Sequence, residues 1–284
     1  MVPEFLKNEN TIFHFTSALT AIEYILPNKN LLFSPRKNSD DPVESKKIII
    51  SKSIAIIDSN IEERTEGKSQ ELYDLIDDRI KNNKQICFCT NKFCTSESEY
   101  GYQKSRMWDQ YGDNFKGVCL AFDQPLLLQN CTSEIIKGEI NYLSYDDLRK
   151  DYLEVDSNHL DNYDSQYENS LLEKSNHLLF RKHIDYRDEC EFRICNFGKP
   201  DYLNIGKSLL GIIVCDNIMS TSNFGKLKHI CRVLNIPLIY CTIDSCGFKL
   251  GVEPNGDIEK HFQIFRTPIP DYTTSKVSIL KNRG

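Results

Sequence analysis

The sequence predicts an α+β fold, with a mixed or antiparallel sheet core and helical segments inserted between the strands. Three observations favour this class. Short apolar or alternating runs recur along the chain, and each has the length and composition of a β-strand. Longer segments with helical spacing separate some of these runs. Regular alternation of strand and helix does not persist, which argues against a doubly wound parallel sheet.

The N-terminal half begins with a strand and a capped helix. Residues 11–16 alternate apolar and polar side chains and predict a strand. Ser17 can cap a helix over 18–26, which Pro27 ends. The spacing then predicts strands over 31–33, 85–90 and 116–122, a mostly helical segment over 43–82 and a short helix over 102–111.

The C-terminal half is also predicted to mix strands and helices. The spacing predicts strands over 135–142, 189–196, 210–215, 238–243 and 261–265, a long polar helical region over 146–183 and a helix over 222–234. The segments 43–82 and 146–183 are helical excursions from the sheet. Their apolar positions are compatible with binding of a target or with dimer contacts.

Length and composition indicate an ordinary globular protein. The chain has 284 residues, of which 40% are hydrophobic and 27% charged. Without an internal repeat or a clear linker, we expect one domain over 1–270 and a flexible tail over 271–284. The sequence has no apolar run of about 18 residues and no signal peptide at its start. We therefore expect a cytoplasmic protein without a membrane partner.

Paired acids near residue 190 are the strongest functional signal. In a strand, Glu189, Glu191 and Arg193 lie on one face, while Cys190 and Phe192 lie on the other. Two carboxylates and a guanidinium are costly to bury unless they pair or take part in chemistry. Carboxylates at this spacing suit cleavage of a glycosidic bond. An edge strand with a solvated polar face and an internal Glu–Arg pair is the alternative.

Two further patterns offer ligand-binding side chains. His14, between two phenylalanines, points away from the face that they bury, and with Thr16 it offers donors and acceptors to a sugar or amide. A hydrogen-bonded core or surface histidine is the alternative. Trp108 and Tyr111 lie three residues apart on one helix face, as a core anchor or as a stacking wall for a planar ring.

Neither the cysteines nor the acidic residues favour a metal site. The eleven cysteines include no C-x-x-C pair, and Cys87, Cys89 and Cys94 form the one dense cluster. Reduced thiols packed as small apolar groups explain them better than a metal does. The acidic loop 40–44 fits a helix cap. Together with the paired glutamates, it would be the metal-binding set of a nuclease, which is the least favoured alternative.

Charge gives a mixed signal about nucleic acid. A net charge of −6 argues against a general nucleic-acid-binding surface. A local basic groove remains compatible with the positive residues before and within the acidic strand, although a solvated helix face with a basic end explains them as well. These residues are Lys174, Arg181, Lys182, His183, Arg187 and Arg193.

Taken in order, these motifs resemble a bacterial family known as domain of unknown function 2971. Its pattern runs H-[YF]-T-S, S-x-P-R, N-D-P-x-E, C-F-S, M-W-x-x-Y-[AG], G-V-C-[IL]-x-F, [VI]-x-Y and a closing K…W-x-x-E-x-E-x-R. The matching segments here are 14–17, 34–36, 40–44, 87–89, 107–112, 117–122, 140–142 and 186–193. Asp40, Cys89 and Tyr186 stand where that pattern has Asn, Ser and Trp.

That layout is similar in turn to NAD-dependent ADP-ribosyltransferases of the DNA-modifying toxin type. The resemblance implies an ADP-ribosyltransferase-like fold, NAD as co-substrate and a nucleic-acid or protein acceptor. It also implies a toxin or phage-defence role, with an antitoxin or immunity protein as a partner. An NAD glycohydrolase and a non-catalytic ligand-sensing or adaptor module are the alternatives.

The same resemblance implies roles for individual residues. Glu191 would be the catalytic acid and Glu189 the upstream member of the pair. NAD would be bound by His14, Thr16, Thr90, Trp108, Tyr111 and Arg193. The chemistry agrees, since a carboxylate that bonds the ribose 2′-hydroxyl stabilises an oxocarbenium-like transition state.

Overall fold

The computed structural model describes residues 3–38, 50–53, 59–93, 98–151, 153–156, 165–244 and 247–252. The strands are β1 (Thr11–Thr16), β2 (Asn30–Leu32), β3 (Ser34–Pro35), β4 (Ile50–Ser53), β5 (Lys84–Thr90), β6 (Lys92–Phe93), β7 (Ser98–Glu99), β8 (Val118–Asp123), β9 (Ile135–Glu139), β10 (Asn141–Leu143), β11 (Leu153–Asp156), β12 (Arg181–His183), β13 (Glu191–Asn196), β14 (Tyr202–Asn204), β15 (Leu209–Cys215), β16 (Leu238–Asp244) and β17 (Gly247–Val252).

Helical segments lie between these strands. The α-helices are α1 (Ala18–Thr20), α2 (Leu26–Asn28), α3 (Ser59–Lys81), α4 (Ser105–Gln110), α5 (Gln124–Leu128), α6 (Tyr145–Lys150), α7 (Ser165–Ser175) and α8 (Ser222–Leu234). A π-helical turn, Ala21–Ile25, joins α1 to α2. The 3₁₀ helices are Glu4–Lys7, Arg36–Asn38, Gly101–Gln103, Asn176–Leu179, Ile184–Glu189 and Asp216–Ser220.

One mixed sheet organises the described residues. Its strands lie in the order β17-β16-β15-β8-β1-β5-β13-β9, and β3 also pairs with β5. Strands β15 and β16 run parallel, whereas β1 runs antiparallel to both of its neighbours. The predicted α+β class with a mixed sheet and inserted helices is thus confirmed.

Alternation along the strands produces a separate apolar core on each face of the sheet. Phe13 and Phe15 of β1 pack on one face, and Ile12 packs on the other with Phe88 and Leu120. Because successive side chains point to opposite faces, His14 lies on the face of Ile12. The orientation predicted for His14 is therefore confirmed.

The sheet divides between its two central strands. Strand β1 pairs with β5 at Ile12–Thr90 and Phe13–Cys89, and it stays paired with β8 as far as Thr16. Strand β5 instead continues along β13. Since β1 and β5 separate after Phe13, a cleft opens in the middle of the sheet.

Several predicted elements need correction. Strand β13 begins at Glu191, because Glu189 ends a 3₁₀ helix and Cys190 has a left-handed backbone with φ 45°. The region 146–183, predicted as helical, contains two strands, β11 and β12, beside its helices. Strand β4 likewise interrupts the predicted helical segment 43–82. Tertiary pairing overrides local helical spacing at these places.

Other expectations concern residues that the structure does not describe. The strand predicted over 261–265, the acidic loop 40–44, Cys94 and the tail over 271–284 all lie outside the described residues. The single domain predicted over 1–270 stays a prediction.

Trp108 is a core anchor. It is fully buried, and its Nε1 donates a 2.8 Å hydrogen bond to the carbonyl oxygen of Tyr102. Its ring meets Phe15 edge-on, with 5.2 Å between ring centroids. The indole packs α4 against the sheet, and because it is buried in the core it does not serve as a stacking wall for a ligand.

We predict that Trp108→Phe lowers the free energy of unfolding by about 2–4 kcal/mol, because a cavity forms and a buried carbonyl loses its donor. Urea denaturation measures this loss. Tyr145→Phe, at a position that is 56% exposed, is the control and should change little. An unfolding free energy within about 0.5 kcal/mol of the wild type would contradict the anchoring role.

Candidate functional site

The cleft between β1 and β5 contains most of the predicted site residues. Its volume is about 890 Å³, within the range of small-molecule and cofactor sites. The predicted residues that line it are His14, Thr16, Tyr111, Glu189, Glu191 and Arg193. The division of the sheet therefore collects side chains from β1, α4 and β13 around one space.

Glu191 is held by a two-point ion pair. Arg193 donates from Nε to Oε1 at 2.7 Å and from Nη2 to Oε2 at 3.0 Å. A third bond, from Arg193 Nη1 to the carbonyl oxygen of Leu179, is 2.8 Å long. Because Arg193 is fully buried, this geometry satisfies a charge that would otherwise be costly.

Lys182 joins the two glutamates. Its Nζ lies 2.7 Å from Glu189 Oε2 and 3.3 Å from Glu191 Oε2. All three side chains are at most 5% exposed. Arg106 forms an ion pair with the other oxygen of Glu189 and also meets Asp188 at 3.2 Å. Two buried acids are thus surrounded by three cations.

The two carboxyl groups differ in proton affinity. Burial acts to raise the pKa of Glu191, but Arg193 and Lys182 outweigh it and lower the pKa to about 2. Burial also raises the pKa of Glu189, and there the nearby Lys182 and Arg106 only reduce the effect. Acids with separated pKa values can divide two catalytic roles, one staying ionised and one exchanging a proton.

His14 is neutral and oriented. Burial lowers the pKa of its imidazole, and its Nδ1 lies 3.0 Å from the carbonyl oxygen of Cys87 across the division of the sheet. A carbonyl only accepts, so Nδ1 carries the proton and Nε2 is left as an acceptor. No hydrogen bond to Nε2 occurs among the described residues.

Two predicted residues lie away from the cleft. Trp108 is in the core, so the core-anchor alternative describes it, and Met107 lines the cleft together with Tyr111. Thr90 Oγ1 donates to the carbonyl oxygen of Cys190 at 3.0 Å and supports the turn before β13. The sequence spacing does not show that Met107 faces the cleft while Trp108 faces the core, because a helix of six residues exposes only part of its surface to the cleft.

Of the three cations, the sequence predicts Arg193 as a partner of the glutamates, but not Lys182 or Arg106. Lys182 was grouped with residues of a solvated helix face, but it lies in β12 and is buried. Its signal was the lysine that opens the closing K…W-x-x-E-x-E-x-R pattern. Tyr186, where that pattern has Trp, places its ring 4.9 Å from both the Lys182 ammonium and the Arg106 guanidinium. For Arg106 the sequence carries no comparable signal.

Backbone support comes from Tyr142. The amide N–H of Glu191 donates to Tyr142 Oη at 2.9 Å. Burial raises the pKa of this phenol, so the hydroxyl stays neutral beside the two acids. The contact fixes the first residue of β13, at which the chain leaves its left-handed turn.

Comparison with known proteins supports the resemblance to this family. Residues 107–194 match the family described as protein of unknown function (DUF2971). The matched segment begins at Met107, directly after Arg106, and it contains Glu189 and Glu191 with their partners Lys182 and Arg193. No curated protein and no solved structure matched the chain.

Among the residues that the structure describes, no three or more His, Cys, Asp or Glu side chains are placed to hold a metal ion. None of the described helices is long and apolar enough to cross a membrane.

We predict that Lys182→Met lowers the free energy of unfolding by about 3–5 kcal/mol, because it leaves two buried carboxylates short of a cation. Chemical denaturation measures the change. Lys84→Met is the matched control, since Lys84 pairs with Asp201 but both are substantially exposed. It should cost at most about 1 kcal/mol, and equal losses in the two variants would contradict the role of Lys182.

Acid should weaken the fold through Glu191. Its folded pKa, about 2, lies below the ordinary value, so its stabilising contribution is present above the unfolded pKa and is lost as pH falls toward 2. The raised pKa of Glu189 acts in the opposite direction. We predict that the difference in unfolding free energy between wild type and Glu191→Gln narrows from pH 6 to pH 3.

Denaturation at several pH values tests this expectation. Glu139→Gln, at an exposed position on the neighbouring strand β9, controls for the loss of any one carboxylate. A difference that stays constant with pH would refute the low pKa of Glu191.

Proposed function

We propose that this chain binds NAD in the cleft, cleaves its nicotinamide–ribose bond and transfers ADP-ribose to a nucleic-acid or protein acceptor. The observation that carries the proposal is that two buried glutamates with opposite pKa shifts and a neutral, oriented histidine line the same cleft. An ADP-ribosyltransferase-like fold and a toxin or defence role belong to the same proposal through the family resemblance.

Glu191 would stabilise the transition state. When the C1′–N bond breaks, nicotinamide leaves with the electron pair and positive charge develops at C1′ and the ring oxygen. A carboxylate that stays ionised and bonds the ribose 2′-hydroxyl lowers the energy of this state. The low pKa of Glu191 keeps it ionised at neutral pH, and Arg193 holds it in one orientation.

Glu189 would take the acceptor's proton. The acceptor oxygen or nitrogen forms a bond to C1′ and loses a proton, which a carboxylate nearby can accept. A raised pKa brings Glu189 closer to the working pH, where a general base is most effective. With water as the acceptor, the same step would give free ADP-ribose and nicotinamide.

His14 and Tyr111 would hold the nicotinamide riboside. The Nε2 acceptor of His14 suits an amide N–H or a ribose hydroxyl, and Thr16 lines the same wall. Tyr111 lines the cleft from the end of α4, and its ring suits stacking on a planar base.

A second candidate is a module that binds NAD without cleaving it. The complete ion pairing of Glu191 with Arg193 and Lys182 favours this function, because a carboxylate occupied by two cations has less capacity for a ribose hydroxyl. Nicotinamide release therefore separates the two candidates.

We predict that wild-type protein with adenylate-labelled NAD releases nicotinamide and labels an acceptor in host lysate, RNA or DNA. Glu191→Asp keeps the negative charge between the cations but withdraws the carboxylate by one methylene. Its kcat should fall by about 100-fold or more with the unfolding free energy largely kept. Glu191→Gln is a poorer test because it leaves buried cations unpaired.

The outcomes divide the candidates. Label transfer that Glu191→Asp abolishes supports the transferase, whereas nicotinamide release without transfer in every acceptor mixture supports a glycohydrolase. Folded protein that binds NAD but releases no nicotinamide would support the binding module instead. Folded protein that binds no NAD would end all three proposals.

A matched pair of variants tests His14. Asparagine at position 14 can still donate to the Cys87 carbonyl but lacks the distal acceptor, while glutamine keeps an acceptor near the position of Nε2. We predict that His14→Asn weakens NAD binding about tenfold and that His14→Gln weakens it less. Calorimetric titration gives both affinities, and the reverse order would remove His14 from the binding site.

A further inference from the structure

Three large side chains with apolar surface are exposed around the cleft. Tyr24 is 63% exposed, Leu32 and Tyr202 are each 54% exposed, and all three line the cleft. Leu32 and Tyr202 face each other where β2 pairs with β14, so their side chains lie on the same face of that pair. These three side chains form the rim of the cleft. Exposed apolar groups collected around one cleft mark an interaction surface, and two members of the rim are planar rings.

The rim lies across the cleft from β1. Strand β13 pairs with one edge of β5 from Lys84 to Cys89. Strands β1 and β3 therefore share the other edge, β1 at Cys89 and Thr90 and β3 at Lys84 and Gln85. The cleft opens between these two pairings, and Leu32 belongs to the strand directly before β3. A molecule held by the rim thus enters the same cleft that the two glutamates line.

The elements around the rim are basic in an acidic chain. Helix α8 packs against α1 and against the π-helical turn that carries Tyr24. Residues 18–38, 197–208 and α8 together contain eight Lys and Arg but two Asp and Glu, whereas the whole chain has a net charge of −6. One of these acids, Asp201, forms an ion pair with Lys84. All the basic residues except the buried Arg36 are at least partly exposed: Lys29, Lys37, Lys199, Lys207, Lys226, Lys228 and Arg232.

Uncharged polar side chains lie beside the rings. Thr20, Tyr24 and Asn28 follow one another at intervals of four residues, and all three line the cleft. Asn30 also lines the cleft, and it shares a face of β2 with Leu32. Asn28 donates to the carbonyl oxygen of Tyr24 at 2.9 Å, which leaves its amide oxygen as an acceptor. A ribose 2′-hydroxyl can donate to such an oxygen and accept from an amide, whereas deoxyribose lacks that group.

We infer that the rim and the basic elements around it are a docking surface for single-stranded RNA, which is the acceptor presented to the cleft. Unpaired bases stack on aromatic side chains while phosphates meet basic ones, and this surface offers both. The amide groups beside the rings favour ribose over deoxyribose. The inference deepens the proposed function by naming its acceptor and rests on it for the transfer step, whereas docking requires no NAD.

Fluorescence anisotropy of the full chain without NAD tests the docking surface. An unstructured RNA oligonucleotide should bind more tightly than DNA of the same sequence. Tyr24→Leu and Tyr202→Leu each keep apolar contact but remove a ring, and each should weaken RNA binding roughly tenfold with an unchanged melting temperature. Tyr145→Leu, at an exposed tyrosine outside the lining of the cleft, should bind RNA as the wild type does.

Charge and sugar recognition are tested with separate variants. Replacing Lys226 and Arg232 together by glutamine should weaken RNA binding and lower the slope of log affinity against log salt by roughly one. Lys137→Gln, at an exposed position on β9 at the edge of the sheet, should change neither quantity. Asn30→Ala should reduce the affinity for RNA to that for DNA.

Three results would overturn the inference. Equal affinity of the wild type for RNA and DNA would reject ribose recognition. Unchanged RNA affinity in both rim tyrosine variants would reject base stacking. Displacement of RNA by polyglutamate at equal charge would indicate an acidic protein as the partner instead.

Nicotinamide release distinguishes this inference from the proposed function. Wild type that binds RNA through the rim tyrosines but releases no nicotinamide from NAD supports the docking surface and rejects the transferase. Nicotinamide release by protein that binds no RNA rejects the docking surface and leaves the cleavage of NAD in place.

Discussion

The structure of the site depends on the buried ion network of Glu189, Glu191, Lys182 and Arg193. Each charge in it would be costly to bury alone, and together they satisfy one another. The network joins β12, β13 and the 3₁₀ helix that precedes β13. It therefore fixes the left-handed turn at Cys190 and presents two carboxylates to the cleft with different proton affinities.

The second constraint is the loss of pairing between β1 and β5. Each strand keeps a full partner on its outer side, β8 for β1 and β13 for β5, so the sheet stays intact where its centre divides. A side-chain bond from His14 to the Cys87 carbonyl crosses the opening just beyond the last paired residues. His14 thus bridges the gap with one ring nitrogen and leaves the other as an acceptor facing the proposed binding site.

Alternation in the sequence was sufficient to predict the faces of β1 and β13, because a strand of six residues repeats its pattern three times. It predicts that His14 lies on the face of β1 opposite Phe13 and Phe15, and that Glu191 and Arg193 lie on the same face of β13. Trp108 was ambiguous for the opposite reason. A helix of six residues has too few turns to show which side meets the core, and an indole suits both a core and a ligand.

The position of Lys182 in the network could not be predicted from composition. Lys182 follows a polar segment, and local spacing there is helical, so the sequence favours exposure. Lys182 is buried because β12 approaches the start of β13. The local pattern of the sequence contains no signal for that long-range approach. The DUF2971 pattern, which places a lysine before the two glutamates, was the available clue.

The proposed chemistry requires that one buried glutamate stays ionised while its neighbour exchanges a proton. Carbon NMR of protein labelled at the glutamate carboxyl carbon, with Glu191→Asp and Glu189→Asp to assign the two signals, measures this directly. We predict that the Glu191 signal stays that of a carboxylate down to about pH 2 and that the Glu189 signal titrates above its ordinary pKa. Two signals that titrate together in the usual glutamate range would contradict it.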